Sequence, residues 1–292
     1  MSAAPRLIDR AALRARLARS AAAGGGPDFL RRRVAEDLAD RLAATLRPFP
    51  MALDLASSGP EILELLRPRD GVAAFRAGAA GQAGAAALVD PDALPFAAES
   101  LDLVVSSLAL HLVDDLPGLL AQIRRSLRPD GLFLAALLGG DTLTELRQSF
   151  AAAEAEIEGG AGPRVVPFGD VRAFGGLLQR AGFALPVTDV DRVTVRYPDP
   201  LALMRDLRAW GAANMLAERR RTPLKRATLV RAIEVYGEKF ADADGRVRAT
   251  FEIIWLSGWA PHPDQQKPLK PGSATTRLAD ALGVRSGDGA AS

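Results

Sequence analysis

Hydrophobic and polar positions follow two helical periods at the start of the chain. The first helical stretch is arginine-rich and runs from Leu7 to Leu17; the second carries apolar residues at helical spacing from Phe29 to Leu42. A glycine-rich segment at 24–27 separates them. The pattern therefore predicts a pair of N-terminal helices over residues 1–47.

Short apolar runs and helical patterns then alternate along the rest of the chain. Strands are predicted at 51–55, 72–75, 87–89, 101–106, 132–137, 187–197 and 249–256, and helices at 62–66, 116–127, 142–161, 171–181, 200–213 and 223–240. This alternation is typical of an α/β fold with a doubly wound, mostly parallel sheet. We expect a seven-stranded domain over 48–260, with a helical cap insertion at about 198–241 and a flexible C-terminal tail at 261–292.

Composition narrows the class of protein. Hydrophobic residues make up 48% and charged residues 25% of the 292 residues, which is typical of a globular chain. The chain has no cysteine, which excludes disulfides and cysteine nucleophiles. A net charge of +2, with no basic stripe interleaved with aromatic residues, argues against nucleic acid as a partner.

The chain carries no apolar run of the ~20 residues that a membrane helix needs, so we expect a cytoplasmic location, with peripheral membrane association left open. The stretch from Leu7 to Leu17 could mimic an organelle transit peptide, although a docking helix is favoured because Asp9 interrupts it. The arginine runs at 31–33 and 219–221 are interpreted as solvated helix faces rather than as contacts to an acidic partner.

The turn after the first strand is the expected ligand site. In doubly wound sheets, ligands bind beyond the carboxyl ends of the strands where strand order reverses. That turn, with the segments 90–96, 100–108 and 127–133 in the same order, resembles the S-adenosylmethionine-dependent methyltransferases of the type 11 group. The resemblance implies a Rossmann-like methyltransferase fold, transferase activity and S-adenosylmethionine as cofactor.

Three later segments resemble a narrower branch of these methyltransferases. Residues 139–147, 199–208 and 251–261 are similar to the family of mitochondrial complex I assembly factor 5, which is itself similar to the malonyl-carrier-protein methyltransferase of biotin synthesis. The mitochondrial relative is regarded as an arginine hydroxylase of a complex I subunit. The resemblance implies a protein substrate or assembly partner, with a complex I subunit as the candidate.

The resemblance also places individual site residues. The positions it assigns to the cofactor are Asp54, Ala56, Ser57, Ser58, Gly59, Asp90, Ser106 and Leu108. Asp90 would lie at the adenine, unless it is a solvated loop carboxylate, and Asp54 could instead serve loop structure. His111 is the catalytic candidate, able to bind or deprotonate a substrate group, with a purely structural role as the alternative.

The cofactor loop departs from the family pattern. Ala56, Ser58 and Pro60 stand where glycine is usual, and Arg76 stands about where an acid would hold the ribose hydroxyls. In the alternative interpretation, Ser58 is a helix N-cap and forms a capping box with Glu61. A degenerate cofactor loop is therefore expected, and a non-enzymatic assembly or chaperone factor is kept beside the methyltransferase.

A metal centre is not expected. The chain has two histidines, His111 and His262, and neither a cysteine cluster nor a pair of histidines at ligand spacing. An iron-dependent hydroxylase would lack its usual ligands.

Overall fold

The computed structural model describes residues 6–67, 71–78 and 85–264. Residues up to Pro261 belong to one compact unit. The predicted tail lies outside the described residues from position 265 onward. Within the described part of the chain, no helix has the length and apolar character needed to cross a membrane.

The helices and strands follow the predicted order. Helices α1 to α8 are Arg10–Ala22, Phe29–Ala43, Glu61–Leu66, Leu116–Ser126, Thr144–Glu158, Val171–Arg180, Pro200–Ala209 and Arg226–Phe240, with a 3₁₀ turn at Leu110–Leu112. Strands β1 to β7 are Met51–Leu55, Ala73–Gly78, Ala87–Leu88, Leu101–Ser107, Leu127–Leu138, Ala184–Tyr197 and Val247–Trp259.

The seven strands form one sheet in the order β3-β2-β1-β4-β5-β7-β6. The pairs from β3 to β5 are parallel, and β7 is antiparallel to both β5 and β6. This confirms the predicted mostly parallel, doubly wound sheet. Strand order reverses between β1 and β4, so the loops that follow these two strands meet at one edge of the sheet.

Two apolar layers cover the faces of the sheet. Along β1, Ala52 packs with α2, α5 and α8, whereas Leu53 and Leu55 pack with α4 and α6 on the opposite face. This alternation follows from the two-residue period of a strand. Helices on both faces explain why β1 and β4 are almost continuously apolar.

Two local predictions are wrong. Ser58 does not cap α3: Pro60 is the N-cap position, and Glu61 pairs with Arg31 of α2 rather than reaching back to the loop. The cause is that the backbone N–H of Ser58 donates to the carbonyl of Ser107 in β4, which docks the loop on the sheet. The sequence Arg128-Pro129-Asp130-Gly131 is typical of a turn, but these residues form an irregular stretch within β5, where the register with β4 shifts.

The arginine runs follow the prediction in part. The run 31–33 lies in α2 with Arg32 and Arg33 exposed to solvent, as predicted, whereas the run 219–221 lies in the connection between α7 and α8, not on a helix. All six side chains form ion pairs, with Glu61, Asp28, Asp191, Asp9 and Glu158 as their partners. Five of the six join different elements, and the pair of Arg32 with Asp28 lies at the start of α2.

Helix α1 lies against the segment that follows α7. Ile8 forms an antiparallel bridge with Leu216. The carboxylate of Asp9 caps the first turn of α1 and pairs with Arg219 at 2.8 Å. No residue of α1 is buried, so these contacts hold the helix in place.

Asp9→Ala is expected to loosen α1, because it removes both the cap and the ion pair. Loss of an N-cap costs about 1 kcal/mol, which corresponds to a roughly fivefold larger open population. Trypsin should therefore cleave more quickly at Arg14 and Arg19, two exposed residues of α1. Asp40→Ala, at an exposed position of α2, is the matched control. Equal cleavage rates in both variants would contradict this role of Asp9.

Candidate functional site

A cavity of about 930 Å³ lies at the edge of the sheet where strand order reverses. Ser58 and Gly59, from the loop after β1, line one side of it. Leu108 and His111, which follow β4, line another. The loop predicted from the sequence thus opens into a cavity of the size that small-molecule ligands occupy.

The loop after β1 is fastened to both neighbouring strands. The N–H of Ala56 donates to the carbonyl of Ala77 in β2 at 2.7 Å, and Ser57 Oγ accepts from the N–H of Ser107 at 2.9 Å. Ala56 has a φ of +56°, a left-handed conformation that costs an alanine about 1–2 kcal/mol. The backbone therefore keeps the shape that a glycine would adopt without strain.

An ion pair lies directly over Gly59. Arg31 Nε is 2.9 Å from a carboxylate oxygen of Glu61, and the guanidinium also donates to the carbonyl of Gly25 at 3.0 Å. A Cβ at position 59 would overlap both side chains of the pair. The glycine leaves room for this pair, and a larger residue would displace the ends of both side chains.

Beneath the loop, Asp54 and Arg76 form a buried ion pair. They are register partners in β1 and β2, with exposures of 0% and 2%. Arg76 Nε lies 3.5 Å from the carboxylate of Asp54, and the guanidinium also donates to the carbonyl of Ser57. Burial raises the pKa of Asp54 to about 6, against the lowering effects of Ser57 and Arg76. The pair supports the loop-structure alternative for Asp54.

Of the other predicted cofactor residues, Leu108 lies at the cavity, whereas Ser106 and Asp90 do not line it. Leu108 lines the cavity, in a left-handed conformation with a φ of +52°. Ser106 is fully buried in β4, and its hydroxyl has no hydrogen-bond partner among the described residues. Asp90 does not line the cavity; Arg10 of α1 donates to its carboxylate at 3.2 Å. Sequence reasoning missed this pairing because 80 positions separate the two residues.

His111 lines the cavity as a neutral ring. Its Nδ1 accepts from the N–H of Leu138 at 3.4 Å, which leaves the proton on Nε2. Phe168 packs edge-on against the imidazole, with 5.2 Å between ring centroids. Burial lowers the pKa of His111 to about 3. A group of this pKa is a weak base at neutral pH, so the arrangement favours binding a substrate group over deprotonating it.

The remaining wall of the cavity was not predicted. It is largely aliphatic and aromatic and comes from α1, α5 and α7, including Leu13, Leu146, Phe150 and Leu207. Helical periodicity marked these residues only as apolar, without saying which faced a cavity. No group of three or more histidine or carboxylate side chains that could hold a metal ion occurs within the described ranges.

The fold is that of the Rossmann-like methyltransferases. The methyltransferase domain family matches residues 69–135. Among solved structures, the YcgJ protein of Bacillus subtilis superposes with a TM-score of 0.51 at 13% identity, covering 78% of this chain and 99% of that one. At this identity the likeness concerns the fold alone.

Comparison with relatives of known sequence identifies the family to which this chain belongs. The chain is 40% identical over 263 residues to the mitochondrial arginine-hydroxylase NDUFAF5 of Danio rerio, covering 87% of this chain and 82% of the relative. It is 42% identical over 172 residues to the malonyl-[acyl-carrier protein] O-methyltransferase of Xylella fastidiosa, covering 59% of this chain and 56% of that protein. The chain belongs to the NDUFAF5 family.

S-adenosylmethionine, the cofactor that a methyltransferase domain implies, fits one half of this site. At the methionine end, Ser58, Gly59 and Arg31 line the cavity and offer polar groups. The ribose hydroxyls call for an acceptor, whereas Arg76 only donates. Asp90, predicted at the adenine, is paired with Arg10. The adenosine half therefore does not fit in the arrangement that the family resemblance predicts.

Asp54 should make stability depend on pH. Between its ordinary pKa of 3.8 and about 6, the folded chain binds more protons at Asp54 than the unfolded chain does. The free energy of unfolding therefore falls as pH rises through this interval, by up to about 3 kcal/mol. Asp54→Asn removes this contribution because an amide does not titrate.

Urea unfolding at pH 4 and pH 7 measures the effect. We expect wild type to lose about 1–3 kcal/mol relative to Asp54→Asn between these pH values. Asp40→Asn, an exposed control, should follow wild type. If Asp54→Asn does not fold, because it leaves Arg76 buried without its partner, Asp54→Asn/Arg76→Met replaces it. Parallel stability curves would show that Asp54 does not titrate in this interval.

His111 should stay neutral throughout the physiological pH range. In His262→Gln, the single remaining histidine gives one set of imidazole resonances, which makes assignment direct. Those resonances should not shift with the titration of an imidazole between pH 5 and pH 8, because burial keeps the ring unprotonated. A titration midpoint near 6.5 would restore His111 as a general base.

Proposed function

We propose that this chain is an S-adenosylmethionine-dependent, methyltransferase-like factor of respiratory complex I assembly, acting on a protein partner. The cavity at the reversal of strand order carries the proposal, because the loops after β1 and β4 both open into it. Membership of the NDUFAF5 family supports the link to complex I. That relative is named as an arginine hydroxylase, and the residues of this chain favour no particular chemistry at arginine.

The residues of this chain have separable tasks in the proposal. When bound, S-adenosylmethionine supplies an activated methyl group. Ser58 and Gly59 hold its methionine end, with Arg31 beside them, and His111 donates through Nε2–H to a group of the partner. Helix α1 covers the cavity and limits the access of water. Alignment of donor and acceptor then supplies most of the rate, since methyl transfer from a sulfonium needs little acid or base.

A second candidate is a non-enzymatic assembly factor that keeps the fold. Three ion pairs favour it: Asp54 with Arg76, Glu61 with Arg31 and Asp90 with Arg10. Each of them neutralises, within the protein, a charge located around the expected cofactor. A chain that no longer binds the cofactor would retain such contacts because they stabilise the fold.

Calorimetric titration with S-adenosylmethionine separates the two candidates. We expect wild type to bind with a Kd between about 10 μM and 1 mM, weakened by the Cβ atoms in the loop. The variant Ala56→Gly/Ser58→Gly/Pro60→Gly should bind at least about tenfold more tightly, because it clears the loop and restores a backbone donor. Ala97→Gly, in an exposed loop, is the control and should match wild type.

Absence of binding by both wild type and the glycine variant at about 5 mM ligand would reject use of the cofactor and leave the assembly factor. Binding by wild type, with no gain in the glycine variant, would show that the loop is competent as it stands. The proposed partner, a subunit of complex I, is tested by cross-linking purified complex I subunits to the full chain. Failure of every subunit to cross-link would overturn this part of the proposal.

A further inference from the structure

The cavity is far more apolar than a nucleoside or a peptide requires. Away from the loop after β1, most of its wall is aliphatic or aromatic, with two side chains from each of three helices: Leu13 and Leu17 of α1, Leu146 and Phe150 of α5, and Met204 and Leu207 of α7. Ser20, Arg164 and Asn214 are polar residues of the same wall. Water inside such a wall finds few hydrogen-bonding partners. A hydrocarbon ligand would cover this surface favourably, by about 0.8 kcal/mol for each buried CH₂.

Charge on the cavity wall determines where the polar group of a ligand would lie. Arg31 is paired with Glu61, and Arg164 with Glu154 at 2.8 Å. Arg208, exposed at the end of α7, is the lining guanidinium for which the described residues provide no ion pair. Glu64 of α3 also lines the cavity, and the described residues provide no ion pair for it either. An anionic head group is therefore expected at Arg208 rather than beside α3.

Helix α1 forms one side of the cavity and is held in a way that allows it to open for a long ligand. Helix α1 contributes Leu13 and Leu17 to the wall, yet none of its residues is buried. Polar contacts join it to the connection after α7: Arg16 donates to the carbonyl of Ala213 at 3.1 Å, and Ser20 to that of Ala209 at 2.5 Å. A helix held in this way can open without disrupting the core, because little apolar area is lost.

We propose that this cavity binds a fatty acyl chain, with the hydrocarbon against α1, α5 and α7 and the anionic head at Arg208. The volume of about 930 Å³ lies at the upper end of the range for small-molecule sites. The inference goes beyond the proposed function and holds whether or not S-adenosylmethionine binds. The acyl chain could belong to a free fatty acid or to a membrane lipid, and the experiment separates these sources.

The test uses the full chain without S-adenosylmethionine, so its failure is distinct from failure of the proposed function. Saturated carboxylates of 8 to 14 carbons, below their micelle concentrations, displace the fluorescent fatty acid cis-parinarate. Each added CH₂ should tighten binding by up to about fourfold. No displacement, or displacement independent of chain length, would overturn the proposal.

Variants locate the site. Met204→Trp and Leu17→Trp add bulk inside the cavity and should weaken dodecanoate binding at least about tenfold. Leu46→Trp adds the same bulk at a position that is 98% exposed and should leave binding unchanged. Equal affinity in all three variants, each with the circular dichroism of wild type, would place the ligand elsewhere and overturn the proposal.

The head group and the source of the chain are tested together. Arg208→Ala should weaken dodecanoate binding about fivefold while leaving the neutral analogue dodecanol unaffected, because only the carboxylate contacts the guanidinium. In a flotation assay with phosphatidylcholine and phosphatidylglycerol vesicles, additional binding that Met204→Trp abolishes identifies a membrane lipid as a source. Vesicle binding without any binding of monomeric fatty acid would point to a surface contact and overturn the cavity site.

Discussion

The buried pair of Asp54 and Arg76 is the contact on which the candidate site depends. It joins β1 to β2 at their carboxyl ends, and through the carbonyl of Ser57 it also holds the loop that follows. Loss of the Arg76 side chain would leave the ionised carboxylate of Asp54 without a partner in the interior, at a cost of about 3–5 kcal/mol. The left-handed Ala56 and the docking of Ser58 on β4 both need this fixed base.

Sequence reasoning recovers the fold well because its signals are local. Met51–Leu55 is apolar except for Asp54, as a strand buried on both faces should largely be, and the predicted bounds agree with the structure. The alternation from Val187 to Tyr197 likewise identified β6, which pairs on one side only. Prediction failed where local chemistry competes with packing: Ser58 has the side chain of an N-cap, but its backbone is engaged by β4.

The candidate site could be located from the sequence but not described. The position of the loop follows from the order of strands, and His111 and Leu108 were expected beside it. The partners of the charged residues were not accessible, since Arg10 reaches Asp90 across 80 positions and Arg31 reaches Glu61 across 30. Such ion pairs leave no periodic pattern in the sequence. A carboxylate that the sequence offers to a ligand can therefore already be paired with an arginine of another helix.

These contacts determine which groups at the strand ends are left to bind a ligand. In a methyltransferase the carboxylates at the strand ends accept hydrogen bonds from the cofactor, and the glycines leave room for it. Here arginines from α1, α2 and β2 pair with Asp90, Glu61 and Asp54, and the pairs join α1 to the loop after β3, α2 to α3, and β2 to β1. The apolar wall of the cavity is the part of its lining that these ion pairs leave available to a ligand. Because burial of apolar surface is the largest favourable term in most association, the acyl chain proposed for this cavity would gain most of its binding free energy from the helices.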